Sequence, residues 1–156
     1  LRPYTSRGEL DRIRKWLGGL VSPQVRLHVE NPMFEEVRTR FKVKFLTGVD
    51  ETFHRDLLRQ ELVRFLSPWA FEEGRDLAFG GKISKSSLID FVDERPYVDY
   101  VTDFEMFTAD SLGKNGADTD QLEASLPLSI LVSARAEKHD ITPIPETPPT
   151  IGQSGC

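Results

Sequence analysis

Apolar and charged positions alternate most sharply between Val37 and Phe45. Val37, Thr39, Phe41, Val43 and Phe45 interleave with Arg38, Arg40, Lys42 and Lys44. A period of two places the first set on one side of an extended chain and the cations on the other, which predicts a β-strand over 36–46. After it, Asp50 stands at a cap position before Phe53, Leu57, Leu58, Leu62, Phe65 and Leu66. That spacing is helical and Pro68 ends it, which predicts a helix over 50–66. Upstream, Ser6 and Glu9 have the spacing of a capping box ahead of Leu10, Ile13, Leu17 and Leu20, and Gly18-Gly19 with Pro23 closes a helix over 6–20. Val25, Leu27 and Val29 alternate with Arg26, His28 and Glu30 and predict a strand over 25–30, broken by Asn31-Pro32.

The second half continues with shorter elements. A strand is expected over 79–83, with Gly80-Gly81 permitting a bend. Ser84 or Ser86 then opens a helix over 85–94 that carries Leu88, Ile89 and Val92, and Pro96 ends it. Val98, Tyr100, Thr102, Phe104 and Met106 alternate through a strand over 97–107. Residues 110–125 form a polar loop, 126–134 a candidate final strand, and the proline-rich 135–156 a flexible tail with no core of its own. Residues 1–109 are thus expected to form an α+β domain of two layers, a mostly antiparallel sheet with helices packed on one face.

Composition narrows the classes. With 156 residues, 38% hydrophobic and 29% charged, the chain is long enough for one core and reads as soluble and globular. A net charge of −5 argues against nonspecific nucleic-acid binding. The one cysteine, Cys156, is the last residue, so no disulfide or cysteine-based zinc site is built within the chain. No apolar run is long enough to cross a membrane. Leu1 in place of Met, with no signal-peptide pattern after it, predicts a piece of a longer cytoplasmic product.

Each candidate constellation has a plain structural explanation beside the sharper one. Arg38, Arg40, Lys42 and Lys44 form a charged face that would suit a nucleic acid or another acidic ligand. The strand over 97–107 offers Asp99, Asp103 and Glu105 as cross-strand partners, and overall acidity favours pairing. Asp90, Asp93, Glu94 and Asp99 lack the spacing of a calcium loop and read as a solvated helix face. His28, His54 and His139 have no neighbour at ligand or triad spacing. Gly80-Gly81-Lys82 is followed by Ile83 where a phosphate loop needs Ser or Thr. No catalytic residue, metal or cofactor is therefore assigned, and no enzyme is expected. Trp69 and Phe71, just beyond a helix end, and Arg95 and Tyr97, flanking Pro96, are candidate partner contacts, because aromatic and arginine anchors dominate interfaces. For Trp69 and Phe71 the alternative is a hydrophobic lid over the helix end.

Several motifs together carry a family resemblance. They are Ser22-Pro23, the run from Val29 through Asn31-Pro32 to Val37, Phe41 to Phe45, and Arg64 to Ala70 with its Ser67-Pro68-Trp69. Phe79 to Ile83 and Arg95-Pro96-Tyr97 to Phe104 complete the set. Over residues 6–107 the chain resembles the C-terminal region of baseplate J-like proteins, in the version found in contractile injection systems, the phage-tail-like particles. The resemblance implies a structural wedge subunit without catalytic residues. It would assemble in the cytoplasm with other wedge and hub proteins in six-fold arrangement and couple baseplate rearrangement to sheath contraction.

Overall fold

The alternating run becomes the axis of the molecule. Residues Met33–Phe45 form one long strand, β1, with Val37, Phe41, Val43 and Phe45 buried on one face and Arg40 and Lys42 exposed on the other. The computed structural model describes residues 3–72, 80–109 and 116–146. Strand β3, Val98–Ala109, runs antiparallel along β1 from Phe45 opposite Val98 to Glu36 opposite Ala109. Two short strands share the other edge of β1, both parallel to it. Strand β5, Ser129–Ser133, lies beside Met33–Val37, and β6, Asp140–Pro143, beside Arg40–Val43. The longest ladder is antiparallel as expected. The candidate strand over 126–134 forms as β5, but its parallel pairing with β1 was not expected, nor was the parallel β6 after it.

Two irregularities in the β1–β3 ladder fix which residues face each other. Arg40 opposes Glu105 and Lys42 opposes Thr102, so Asp103 and Phe104 together face Phe41 alone. This is a β-bulge, and Asp103 sits in it at φ +53°, a conformation that Asp tolerates better than most residues. Phe104 thereby stacks on Phe41 at 4.8 Å between ring centroids. A second shift leaves Asp99 without an opposite residue.

Helix α2, Glu51–Leu66, is capped by Asp50, whose carboxylate accepts the Phe53 N–H at 2.9 Å. It buries Leu58, Leu62 and Leu66, spaced by four residues, while Phe53 stays 62% exposed and Phe65 39%. The core-facing stripe is thus narrower than the apolar pattern suggests. Helix α3, Lys85–Asp93, is capped by Ser84 and buries Leu88 and Val92. These leucines and valines join the buried side of β1, with Val98 and Met106 of β3, in one core, so both helices cover the same face of the sheet. Asp50→Ala should cost about 1 kcal/mol, read as a lower urea midpoint at unchanged slope, while Asp50→Asn should be close to neutral.

Three expectations are corrected. Residues 25–30 form no strand; by this point of the chain both edges of β1 near residue 36 are taken by β3 and β5. Asn31 instead uses its side-chain amide like a strand partner, accepting the Thr5 N–H at 2.8 Å and donating to the Thr5 carbonyl at 2.9 Å. The polar loop contains strand β4, Gln121–Glu123, antiparallel to β2, Lys82–Ser84, and buries Leu122. The tail carries a 3-10 turn, Ala136–Lys138, and then β6, whose Ile141 is 3% exposed and belongs to the core. The early part of the expected strand over 79–83, at Phe79, and Cys156 lie outside the described residues. The first helix does form as α1, Arg7–Gly18, with Ser6 accepting the Glu9 N–H.

Candidate assembly surfaces

The aromatic motif after α2 folds into a single 3-10 turn, Pro68–Ala70, because Pro68 cannot extend the helix. Ser67 is buried and its hydroxyl accepts the Ser133 N–H at 2.9 Å, tying the turn to β5. The two aromatic residues then part company. Trp69 is half-buried in a cleft of about 210 Å³ with Leu66, Ile83, Ile130 and Leu131, and its indole N–H is buried with no hydrogen-bond partner among the described residues. Phe71 is 46% exposed, with the Arg64 guanidinium 5.6 Å from its ring centre. It borders a cleft of about 810 Å³ between α2, the end of β5 and the turn before β6, where Arg38, Arg64, Arg135 and Lys138 outnumber Glu36 and Glu137.

Tyr97 and Arg95 sit differently. Tyr97 is 7% exposed, packs near Phe45 and His54, and donates its hydroxyl to Glu61 at 2.5 Å. Burial and then that carboxylate push its phenol pKa up. The ring is therefore part of the core and leaves little surface for a partner. Arg95 lies over the Phe91 ring at 4.3 Å and donates to the Phe91 carbonyl at 3.0 Å, half-buried beside the same Glu61.

The cationic row of β1 meets carboxylates. Arg40 reaches Glu105 at 3.0 Å and Asp140 at 3.4 Å, and Lys42 reaches Asp103 at 2.9 Å, brought into line by the bulge. Lys44 donates to the Ile144 carbonyl, and Arg38 is buried beside Glu36. Asp99, displaced by the second shift, takes no part in these pairs. Each exposed pair contributes only about 0.2–1 kcal/mol, but a phosphate backbone would have to displace several of them at once. Among the described residues no group of three acidic, histidine or cysteine side chains is placed to hold a metal.

A fourth feature has no sequence signature. His139 is fully buried between Thr39 and Ser133, with Nδ1 3.0 Å from the Thr39 hydroxyl and Nε2 2.9 Å from the Ser133 hydroxyl. The Ser133 hydroxyl donates to the Ala134 carbonyl at 2.8 Å. These partners assign the tautomer: Nε2–H donates to Ser133, and Thr39 donates to Nδ1. Burial above all, with the positive charges of Arg59 and Arg38, holds the imidazole pKa down to about 4 against an opposing hydrogen bond at Ala134. A Ser–His contact invites comparison with a nucleophile and its base. Here the ring nitrogen facing Ser133 already carries the proton, and Thr39 stands where a carboxylate would stabilise an imidazolium. The trio works as a clamp between β1, β5 and the turn before β6.

Residues 1–132 match the model of the family described as baseplate protein PVC11-like. The chain belongs to this family. No curated protein matches it in sequence. A solved chain from a six-fold symmetrised cryo-EM structure of the anti-feeding prophage baseplate shares its fold, with a TM-score of 0.65 at 21% identity. That match covers 85% of this chain and 26% of the other, so the PVC11-like chain spans about a quarter of the length of the baseplate protein it resembles. The resemblance carried by the motifs holds as far as a baseplate protein, and the family matched is the PVC11-like one. The chain is a structural component of a baseplate. The family match takes in α1, the Ser67–Phe71 turn and the charged row, and it ends within β5, before His139 and β6.

Proposed function

We propose that this PVC11-like chain is the baseplate J-like C-terminal module of a wedge subunit in a contractile, phage-tail-like injection particle. It holds neighbouring wedge and hub proteins in six-fold arrangement and passes baseplate rearrangement on to the sheath. The observation that carries this reading is the family match over residues 1–132. The fold shared with a chain of the anti-feeding prophage baseplate supports it. The module assembles in the cytoplasm and leaves with the particle. Its contacts suit such a part: an exposed Phe71 at the rim of a cation-rich cleft can seat an acidic, partly apolar segment of a neighbour.

The test is assembly. Particles produced without this chain should lack complete baseplates in electron micrographs, with sheath and tube left unassembled. Complete, contractile particles in its absence would refute the reading. Phe71→Ala should leave the isolated chain's unfolding free energy within about 0.5 kcal/mol of the parent, because the ring is half in solvent. The same change should lower the yield of complete baseplates several-fold. An unchanged yield would move the anchor away from this cleft.

A further inference from the structure

Helix α1 is amphipathic and capped, and among the described residues it packs extensively against no other element, Leu10 and Leu17 being only half-buried. Leu10, Ile13, Leu17 and, past its end, Leu20 line one side with Trp16, yet no residue of the helix is buried. Ile13 is 42% exposed, Leu20 66% and Trp16 68%. Helices shorter than about 12–15 residues are marginal in water on propensity alone, and an apolar stripe of this kind is normally stabilised by what it packs on. The Thr5–Asn31 hydrogen bonds fasten the start of α1 to the chain just before β1. At helical spacing the stripe is flanked by Arg7 and Arg14 on one side and Arg12 on the other. None of the three has an ion-pair partner among the described residues.

The complementary surface lies on the same protein. A cleft of about 310 Å³ opens between α2 and α3, floored by Phe65 and Phe91, which stack at 4.3 Å, with Arg64 and Arg95 on its walls beside Glu61 and Glu72. This is room for one large side chain, with two guanidinium groups as well as two carboxylates at its rim, and the guanidiniums suit an indole. Asp90 and Glu94, exposed and one turn apart, flank Phe91 without an ion-pair partner among the described residues. The charge of the chain divides the same way. Residues 1–29 hold six basic and two acidic side chains, while residues 30–156 hold fourteen and twenty-three.

We infer that α1 of one copy docks on the α2–α3 cleft of a second copy, Trp16 entering between Arg64 and Arg95 while Arg12 and Arg14 meet Asp90 and Glu94. Because the two patches differ, the contact is head-to-tail, and successive copies form a closed ring or an open row. It goes beyond the baseplate role and stands or falls separately.

Sedimentation of the full chain over a concentration series, at low and high salt, tests it. The parent chain should self-associate, more strongly at low salt. R12E/R14E and D90R/E94R should each sediment as monomers, and an equimolar mixture of the two should associate again. Trp16→Ala should weaken association at least about tenfold with an unchanged unfolding midpoint, as expected for an interface anchor that the isolated fold does not bury. A parent chain that stays monomeric, reversals that leave association intact, or a mixture that fails to restore it would each overturn the inference. Binding of α1 to anionic lipid vesicles without self-association would also overturn it, by assigning the helix to a membrane surface. None of these outcomes bears on whether particles need the chain, so the two readings fail independently.

Discussion

Phe41→Ala should lower the unfolding free energy by about 3–5 kcal/mol, a large share of the roughly 5–15 kcal/mol that holds a domain folded. Phe41 is 1% exposed at the middle of β1, stacked on Phe104 and opposite Ile141 of β6. Truncation removes its transfer free energy and leaves a cavity beneath the bulge. The backbone there is already committed to strands on both edges, so the site cannot collapse to fill the gap. Urea unfolding with matched slopes measures the loss. A value below about 1 kcal/mol would mean that the centre of β1 is not where the core is held. Arg40→Ala, the next residue on the opposite face, should cost less than about 1 kcal/mol, because its partners Glu105 and Asp140 are solvated.

That contrast also explains what could be seen in the chain beforehand. Val37 to Phe45 announces itself because alternation over nine residues admits one backbone geometry. Asp50 and Ser6 announce their helices through side chains that satisfy free N–H groups locally. Strands β4 and β6 were missed because Leu122 and Ile141 are single buried residues in polar or proline-rich surroundings, and their strands exist only through pairing with chain far away. The reverse error at 25–30 has the same root: alternation is necessary for a half-buried strand, but an open edge must also be present.

The candidate contacts divide along similar lines. Phe71 and Trp69 were found from their place after a helix end, which is local information. Whether a ring then faces solvent or core depends on β5 and β2, and Trp69 lies against residues of both. Tyr97 had the composition of an anchor but is drawn inward by Glu61, 36 residues away. The apolar stripe of α1 was legible as a helix signal. That no described residue buries it is a property only of the folded chain, and it is what turns a packing pattern into a candidate contact.

His139 should make the protein acid-sensitive in a defined window. The imidazole titrates near 6.5 when unfolded and near 4 when folded, because burial and the nearby Arg59 and Arg38 disfavour the cation. A folded pKa below the unfolded one means that the unfolded state binds the proton first as pH falls. Its contribution is therefore complete above about pH 6.5 and disappears progressively toward pH 4, roughly 3 kcal/mol in all. Protonation would also make Nδ1 a donor, so that the Thr39 hydroxyl would have to turn its own proton away and accept instead. Urea unfolding at steps from pH 7.5 to 4.5 should show the loss in the parent chain. His139→Gln should be less stable at pH 7.5 by about 1–3 kcal/mol, from imperfect hydrogen bonding in a buried site, and should lose less on acidification. Glu35 and Asp118 cannot mimic this difference. Burial raises Glu35, but hydrogen bonds from Ser125 and Ser129 outweigh it, and Lys85 with the Met106 N–H lowers Asp118, so the stability each contributes is complete above the usual carboxylate range, is lost as pH falls through and below it, and is the same in the two proteins. Parallel stability profiles for parent and variant across this window would show that the buried imidazole is not the titrating group.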